Sequence, residues 1–311
     1  MTVRYVSHGI ILDDIVYPDG RTQMGVPGGG GPQTVWGMAA AAGSGEVAGI
    51  VAALNIAEPE TTLDRLYAAN INLDGVYRND LLSPRAWQIL EHDGFRRHLW
   101  RVPPETLATQ LRRGLGVAPE SYHEAVWFHW GIHPGDADRD IEWANELRAR
   151  GVKVCLETFR SSPQPLTSRE LTLLLSACDM FSVNVSEAEQ IVGMNAGPDM
   201  LRHYRDAGAD LLLVRRAESG ADCWNLVMGA GVYVPAYPTK VVDVVGAGNA
   251  FTGGFIAAFD KYNDIADAAC HASAAASYMI EQVGVPSILP QPDDFVRRVR
   301  WAQEGLQNLR L

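Results

Sequence analysis

The sequence predicts an α/β protein built on one large, mostly parallel sheet flanked by helices. Short apolar runs of strand length alternate with longer amphipathic stretches, the pattern that places helical crossovers between parallel strands. The chain has 311 residues, enough for one large α/β domain or a domain with a small appendage. Its composition, 47% hydrophobic and 20% charged, is that of a globular enzyme. No internal repeat, low-complexity tract or linker interrupts it, so residues 1–311 read as a single main domain.

Taken in order, the strand-like runs are "VRYVSHGIILDDIVY", "EVAGIVAAL", "EAVWFHWGI", "VKVCLET", "MFSVNV", "DLLLVRR" and "GVYVPAY". Helical patterns lie between them in "RDIEWANELRARG", "SRELTLLLSAC", "SEAEQIVG" and "DMLRHYRDAG". Residues of about 10–27 and 72–102 depart from this rhythm, reading as strands and turns with no long helix between them. Such pieces form either a small β lid over a site or a surface β-meander without function.

The net charge is −11 and no Lys/Arg run is present, which argues against a nucleic-acid partner. The four cysteines, Cys155, Cys178, Cys223 and Cys270, are far apart and form no C-x-x-C pair. They suit reduced thiols in an intracellular protein and give no support for zinc. No run approaches the roughly 18 apolar residues of a spanning helix, and acids stand where a signal peptide would continue apolar. The expectation is a soluble, cytoplasmic protein without a membrane partner.

Chemistry concentrates in three stretches. In "VVDVVGAGNAFTGGF", residues 241–255, Gly246 and Gly248 permit backbone angles that let successive N–H groups converge on an anion. Phe251, Phe255 and Phe259 then repeat at helical spacing, so an anion at this turn would meet a helix N-terminus. A Gly-rich structural turn is the alternative. In "GVPGGGGPQTVWGMAAAAG", Gly28 to Gly31 precede an Ala-rich helix, so a polar ligand could lie directly on backbone; the alternative is a flexible loop. Upstream, Asp13 and Asp14 point to opposite faces of a strand, and at most one can address a cleft. In "FSVNVSEAEQIVG", Asn184 and Glu187 could orient metal-bound water, while Ser186 and Glu189 resemble a capping box. His129 and His133 mimic i,i+4 metal ligands, but a strand broken by Pro134 holds such imidazoles roughly 13 Å apart.

The order of these elements resembles the ribokinase-like (PfkB) carbohydrate kinases over essentially the whole chain. The likeness rests on the Gly-Gly element near residue 28, N-x-x-E at 184–187, "LLLVRRAESGA" near 214, "DVVGAGNAFTGGF" at 243–255 and "AASYMIEQVGVPSILP" near the end. The Gly-rich first element and the Asn after the GAG turn look like a fungal branch of that family. The resemblance implies a central sheet flanked by helices with a small β lid, and transfer of the ATP γ-phosphate to a hydroxyl of a sugar, nucleoside or related polyol.

By the same resemblance, Asp14, Gly28, Gly29 and Gln33 would hold the substrate, Gln33 replacing the family's usual Asn. Gly246, Ala247 and Gly248 would form the anion hole. Asn184 and Glu187 would help place Mg²⁺, Glu187 through water. Arg215 and Ala217 stand where a Thr and a Gly are common; Arg215 there would pair with nucleotide phosphates, and Gly220 is retained. Gly284 would open the loop near the adenine, and Asp243 would belong to a K⁺ site. Relatives also imply a homodimer through the lid.

One position departs from the catalytic pattern. The family's base is the Asp after the GAG turn, and here it is Asn249. An amide cannot accept the substrate proton. Three readings follow: a kinase whose base is Asp14 or Asp243, or that needs none; a nucleotide- and sugar-binding pseudokinase acting as sensor or scaffold; or a fold recruited for a reaction other than phosphoryl transfer.

Overall fold

The structure is a computed structural model that describes residues 2–92, 96–160 and 162–311. Its strands are β1 (Tyr5–His8), β2 (Ile11–Val16), β3 (Thr22–Gly28), β4 (Ala48–Asn55), β5 (Val76–Asn79), β6 (Arg85–Leu90), β7 (Arg96–Trp100), β8 (Trp127–Ile132), β9 (Lys153–Thr158), β10 (Met180–Asn184), β11 (Leu211–Arg215), β12 (Ala221–Asn225), β13 (Ala230–Val234) and β14 (Gln307–Arg310). Among the described residues they form a ten-stranded sheet, ordered β14-β13-β12-β11-β10-β9-β8-β1-β4-β5, and a four-stranded sheet, β3-β2-β6-β7. From β11 to β5 the large sheet is parallel throughout; β12, β13 and β14 add an antiparallel edge.

The helices are α1 (Gly30–Ala42), α2 (Asp64–Ala68), α3 (Pro104–Gln110), α4 (Asp138–Ala149), α5 (Ser168–Ser176), α6 (Val185–Val192), α7 (Pro198–Asp206), α8 (Ala247–Tyr262), α9 (Ile265–Met279) and α10 (Pro292–Glu304). Alternate residues of each parallel strand enter different cores. Tyr5, Trp127, Leu211 and Leu213 pack with α1, α2, α8, α9 and α10. Val6, Phe128, Leu212 and Val214 pack with α4, α5, α6 and α7 on the other face. The large, mostly parallel sheet flanked by helices that the sequence predicts is the one observed, with a second, small β sheet beside it.

The long run at residues 3–17 is not one strand. Gly9 takes a φ of 88°, and the chain leaves the large sheet there, so β1 is central in one sheet and β2 in the other. The smaller sheet draws its strands from the two irregular segments, with one correction: Val76–Asn79 instead pairs with β4 at the edge of the large sheet. Residues 93–95 of the second segment lie outside the described residues. The four cysteines are buried free thiols. Among the described residues no helix is long and apolar enough to cross a membrane.

Two helices set the site. α1 and α8 approach backbone to backbone: a Cβ on Gly253 would lie 2.0 Å from the Thr34 carbonyl oxygen, and one on Gly37 would lie 2.2 Å from that of Ala250. Gly254 does the same job toward α9, where a Cβ would meet Ala275 at 3.0 Å. Ser182 and Thr252 share a buried hydroxyl contact of 2.8 Å that ties α8 to β10. Gly253→Ala is expected to force the helices apart and to cost about 1–3 kcal/mol, the range for overpacking a dense core; denaturant unfolding of the variant against the parent measures it.

Candidate functional site

The α1–α8 contact sets two glycine-rich turns side by side. Gly29, with φ 80°, leads into α1, and Gly246, with φ 89°, leads into α8. The opening N–H groups of both helices lack intrahelical partners, and no acid stands in either first turn. Gln33 joins the turns. Its Oε1 accepts from Asn249 Nδ2 at 2.5 Å, and a Cβ on Gly246 would lie 2.5 Å from its Cδ. Gln33 is 2% exposed, so this amide pair is a fixed seam between the two half-sites.

The two acids of β2 part company at a register shift between Asp13 and Ile15. Asp13 turns toward the glycine run: a Cβ on Gly28 would lie 2.1 Å from its Oδ2, and Gln88 Nε2 donates to its Oδ1 at 2.9 Å. Asp14, expected beside Gly28 and Gly29, points away from them. It is fully buried; Arg85 donates to both its oxygens at 2.7 and 2.9 Å, Arg101 donates to Oδ2, and the Gly25 N–H donates at 2.8 Å. Burial would raise its carboxyl pKa, but these donors hold it below the ordinary aspartate value.

On the α8 side, Arg215 lies over the GAG turn. A Cβ on Gly248 would sit 2.1 Å from its Nη1. The same nitrogen pairs with Glu157 Oε1 at 2.6 Å, while Nη2 is 3.7 Å from Glu187 Oε2, and Nε donates to the Val183 carbonyl. Burial would push the Glu157 carboxyl up; the Arg215 charge and hydrogen bonds from His129 and Thr252 pull it below the usual value.

Asn184 and Glu187 form the capping box of α6 themselves, with bonds of 2.8 and 2.9 Å. The pairing of Ser186 with Glu189 suggested by the sequence is not made; Glu189 instead accepts from the Ala196 N–H. Glu187 Oε2 also accepts from Thr158 Oγ1, leaving Oε1 as its outward oxygen. Among the described residues no cluster of three His, Cys, Asp or Glu could ligate a metal. This donor set fits a cation held by phosphate and water, with Glu187 addressing the water.

The remaining predicted residues lie around this core. Gly220 closes the turn after β11, where a Cβ would meet the Val234 carbonyl at 2.1 Å; Ala217 adopts φ 49° in the same turn, a conformation for which glycine is better suited. Asp243 accepts from the Val245 N–H at 3.0 Å, and its own N–H reaches the Ile280 carbonyl. Gly284 abuts the small sheet, its would-be Cβ lying 2.9 Å from Val26. The sequence reading missed Glu157 and the part played by His129. The available signal was an acid at the end of the otherwise apolar run "VKVCLET", since a buried carboxylate requires a partner.

Asp14→Asn is expected to lower stability at pH 7 by about 1–3 kcal/mol, less than a fully buried pair because both arginines are partly solvated. Because the folded-state pKa of Asp14 is depressed, its contribution is present above the unfolded value of about 3.9 and is lost as pH falls through the folded one. The difference between parent and variant in denaturant titrations should therefore shrink below about pH 4.

Known proteins resemble this chain in sequence and in fold. A cytidine kinase of Thermococcus kodakarensis is 25% identical over 252 residues, 81% of this chain and 86% of that protein. An aminoimidazole riboside kinase of Salmonella typhimurium is 26% identical over 195 residues, 57% of this chain and 60% of that one. Arabidopsis thaliana ribokinase complexed with ribose and ATP superposes with a TM-score of 0.74 at 19% identity, covering 96% of this chain and 99% of that one. An Escherichia coli structure with ATP and Mg²⁺ bound, assigned to ribokinase II, gives 0.74 at 15% identity over 96% and 99%. Residues 132–292 match the model of the pfkB family carbohydrate kinases. That match runs from the end of β8 to the start of α10, through the half of the sheet that carries the GAG turn, and the chain belongs to the pfkB carbohydrate kinase family.

Proposed function

We propose that this chain is an ATP-dependent kinase of a small polyol, of which a nucleoside is the favoured class, working with Asn249 where a carboxylate base is usual. The carrying observation is the seam at Gln33 and Asn249. It sets the α8 N-terminus, with Arg215 above it, directly beside the Gly28 turn and the Asp13 carboxylate. A phosphate on one side and a hydroxyl on the other would meet at Asn249. The favoured acceptor class follows the relatives, a cytidine kinase and an aminoimidazole riboside kinase.

In this reading Asp13, rather than Asp14, accepts hydrogen bonds from substrate hydroxyls, and the backbone of Gly28 and Gly29 lies under them. The backbone of Gly246, Ala247 and Gly248, with Arg215, holds the transferring phosphoryl group. When bound, Mg²⁺ would neutralise phosphate charge, with Glu187 holding its water. Asp243 belongs to a monovalent-cation site. Asp14 is a poor base, since two arginines stabilise its ionised form; Asp13 is the nearer carboxylate on the substrate side. Phosphoryl transfer has a loose transition state and depends mostly on positioning and charge, so loss of a base worth about 10²–10⁴-fold slows the reaction without abolishing it. The neutral Asn249, whose Nδ2 is already committed to Gln33, favours a second reading, a site that binds nucleotide and polyol without turnover.

Asn249→Asp separates these readings. For the kinase, phosphoryl transfer to some member of a nucleoside and sugar panel should rise by up to about 10²–10⁴-fold, with Mg-ATP affinity little changed. Binding without transfer in both proteins would establish the non-catalytic reading. No calorimetric or thermal response to millimolar Mg-ATP would overturn both, because a ligand at 100 times its Kd adds about 2.7 kcal/mol. In the same assays Asp13→Asn should raise the acceptor KM and leave ATP binding intact, whereas that phenotype from Asp14→Asn would return the substrate role to Asp14.

A further inference from the structure

A buried polar chain crosses the large sheet beneath both turns. Ser7 Oγ contacts His129 Nδ1 at 2.8 Å, and His129 Nε2 contacts Glu157 Oε2 at 3.2 Å. Glu157 Oε1 then takes Arg215 Nη1 at 2.6 Å. Ser7 pairs in register with His129, Ser182 with Glu157 and Asn184 with Arg215, so the chain steps toward the carboxyl ends of the strands as it crosses them. Its left end touches the start of α1, where a Cβ on Gly30 would lie 3.9 Å from His129 Cε1. Its right end lies on Gly248. Ser7, His129 and Glu157 are all at most 2% exposed. A Ser-His-Glu order suggests a hydrolytic triad, but a serine with no solvent exposure cannot meet a substrate.

We infer that Glu157 is a positioning residue: one carboxylate oxygen holds Arg215 over the GAG turn, and the other is fixed by His129, so that the guanidinium is already in place for an incoming phosphoryl group. The inference rests on the kinase reading of the site. Packing alone does not call for this arrangement. The facing residues on neighbouring positions, Trp127, Cys155, Met180 and Leu213, are apolar members of the core, and burying a carboxylate costs several kcal/mol unless it is paired. Without Glu157, the nearest anion to Arg215 is Glu187, at 3.7 Å from Nη2. The side chain would turn toward that carboxylate and away from Gly248. Glu157 therefore decides which of two acids Arg215 serves.

The test is a double-mutant cycle on nucleotide binding, using Glu157→Gln, Arg215→Ala and the pair, with Mg-ATP affinity by calorimetry and acceptor KM by steady-state assay. Glu157→Gln should weaken Mg-ATP about tenfold or more, the size of a lost hydrogen bond to a charged group, and leave acceptor KM unchanged. On the Arg215→Ala background the same substitution should have almost no further effect. Equal losses on both backgrounds, or a lower melting temperature with unchanged Mg-ATP affinity, would overturn the inference. If Glu157→Gln does not fold, His129→Phe removes the second hold and should weaken Mg-ATP only when Arg215 is present; a loss that ignores Arg215 overturns it. Failure of the parent protein to bind Mg-ATP would overturn the kinase reading together with this one, whereas binding by the parent that is insensitive to Glu157 removes this one alone.

Discussion

The close backbone contact between α1 and α8 is the constraint on which the rest of the molecule depends. Gly37 and Gly253 leave no room for a side chain between the helices, and at that separation the helix starts are neighbours. Gln33 and Asn249 are then within hydrogen-bond reach, and the turns that open each helix lie side by side. A helix pair spaced by ordinary core side chains, at 8–10 Å between axes, would hold the two turns farther apart and break the Gln33–Asn249 contact. The small residues of α8 thus set the separation of the two turns through packing alone.

Among the carboxylates the protein buries, Asp14 and Glu157 are held in opposite ways. Asp14 is surrounded by more positive charge than it carries, with two arginines and a backbone donor, and is settled in the ionised form. Glu157 shares one arginine with Glu187 and leans on a histidine. The first arrangement ties strands of the small sheet together. The second holds a guanidinium in place beside the GAG turn, with Glu157, Glu187 and the Val183 carbonyl around it. The distinction between structural and site charge lies in how fully each partner is satisfied.

Much of the architecture was legible because its signals are local. Apolar runs, amphipathic helices and the stripe of Phe251, Phe255 and Phe259 all declare themselves by period. What the sequence concealed was long-range. Nothing in "VRYVSHGIILDDIVY" says that a single glycine hands the chain to another sheet, and Val76–Asn79 looks like its neighbours until β4 claims it. β14 carries polar sequence because it is the edge strand, while β12, paired on both sides and buried, mixes Asp222 and Asn225 with apolar residues. The glycine turns, which Asn249 joined only through the family resemblance, were readable from spacing as candidate anion-binding turns. The identity of the inward aspartate was not, since the register shift after Asp13 depends on the pairing of β2 with β3. Nor was the capping role of Asn184, because Ser186 offered an equally good local pattern.

The chain connections of the small sheet all lie at one end. The chain enters and leaves it at Gly9, Gly29, Pro84 and Arg101, and these crossings border the ends of β2, β3, β6 and β7 that pair together at Ile11–Gly28, Leu12–Arg85 and Ala86–Trp100. Gly9 and Gly29 both have positive φ, and a Cβ on Gly31 would meet the Gly9 carbonyl at 2.0 Å, so two of the four attachment points lie close together. A plate fastened along one margin can neither slide nor twist freely; it keeps one soft degree of freedom, a tilt about that margin. Val26, which rests on Gly284, lies two residues from the end of β3 and thus close to the axis, where the lever arm is short. The contact with the Gly284 loop would persist through a small swing, in which the turn at Pro18–Gly20, at the other end of β2 and β3, would travel farther than the strand ends near Gly9 and Gly29.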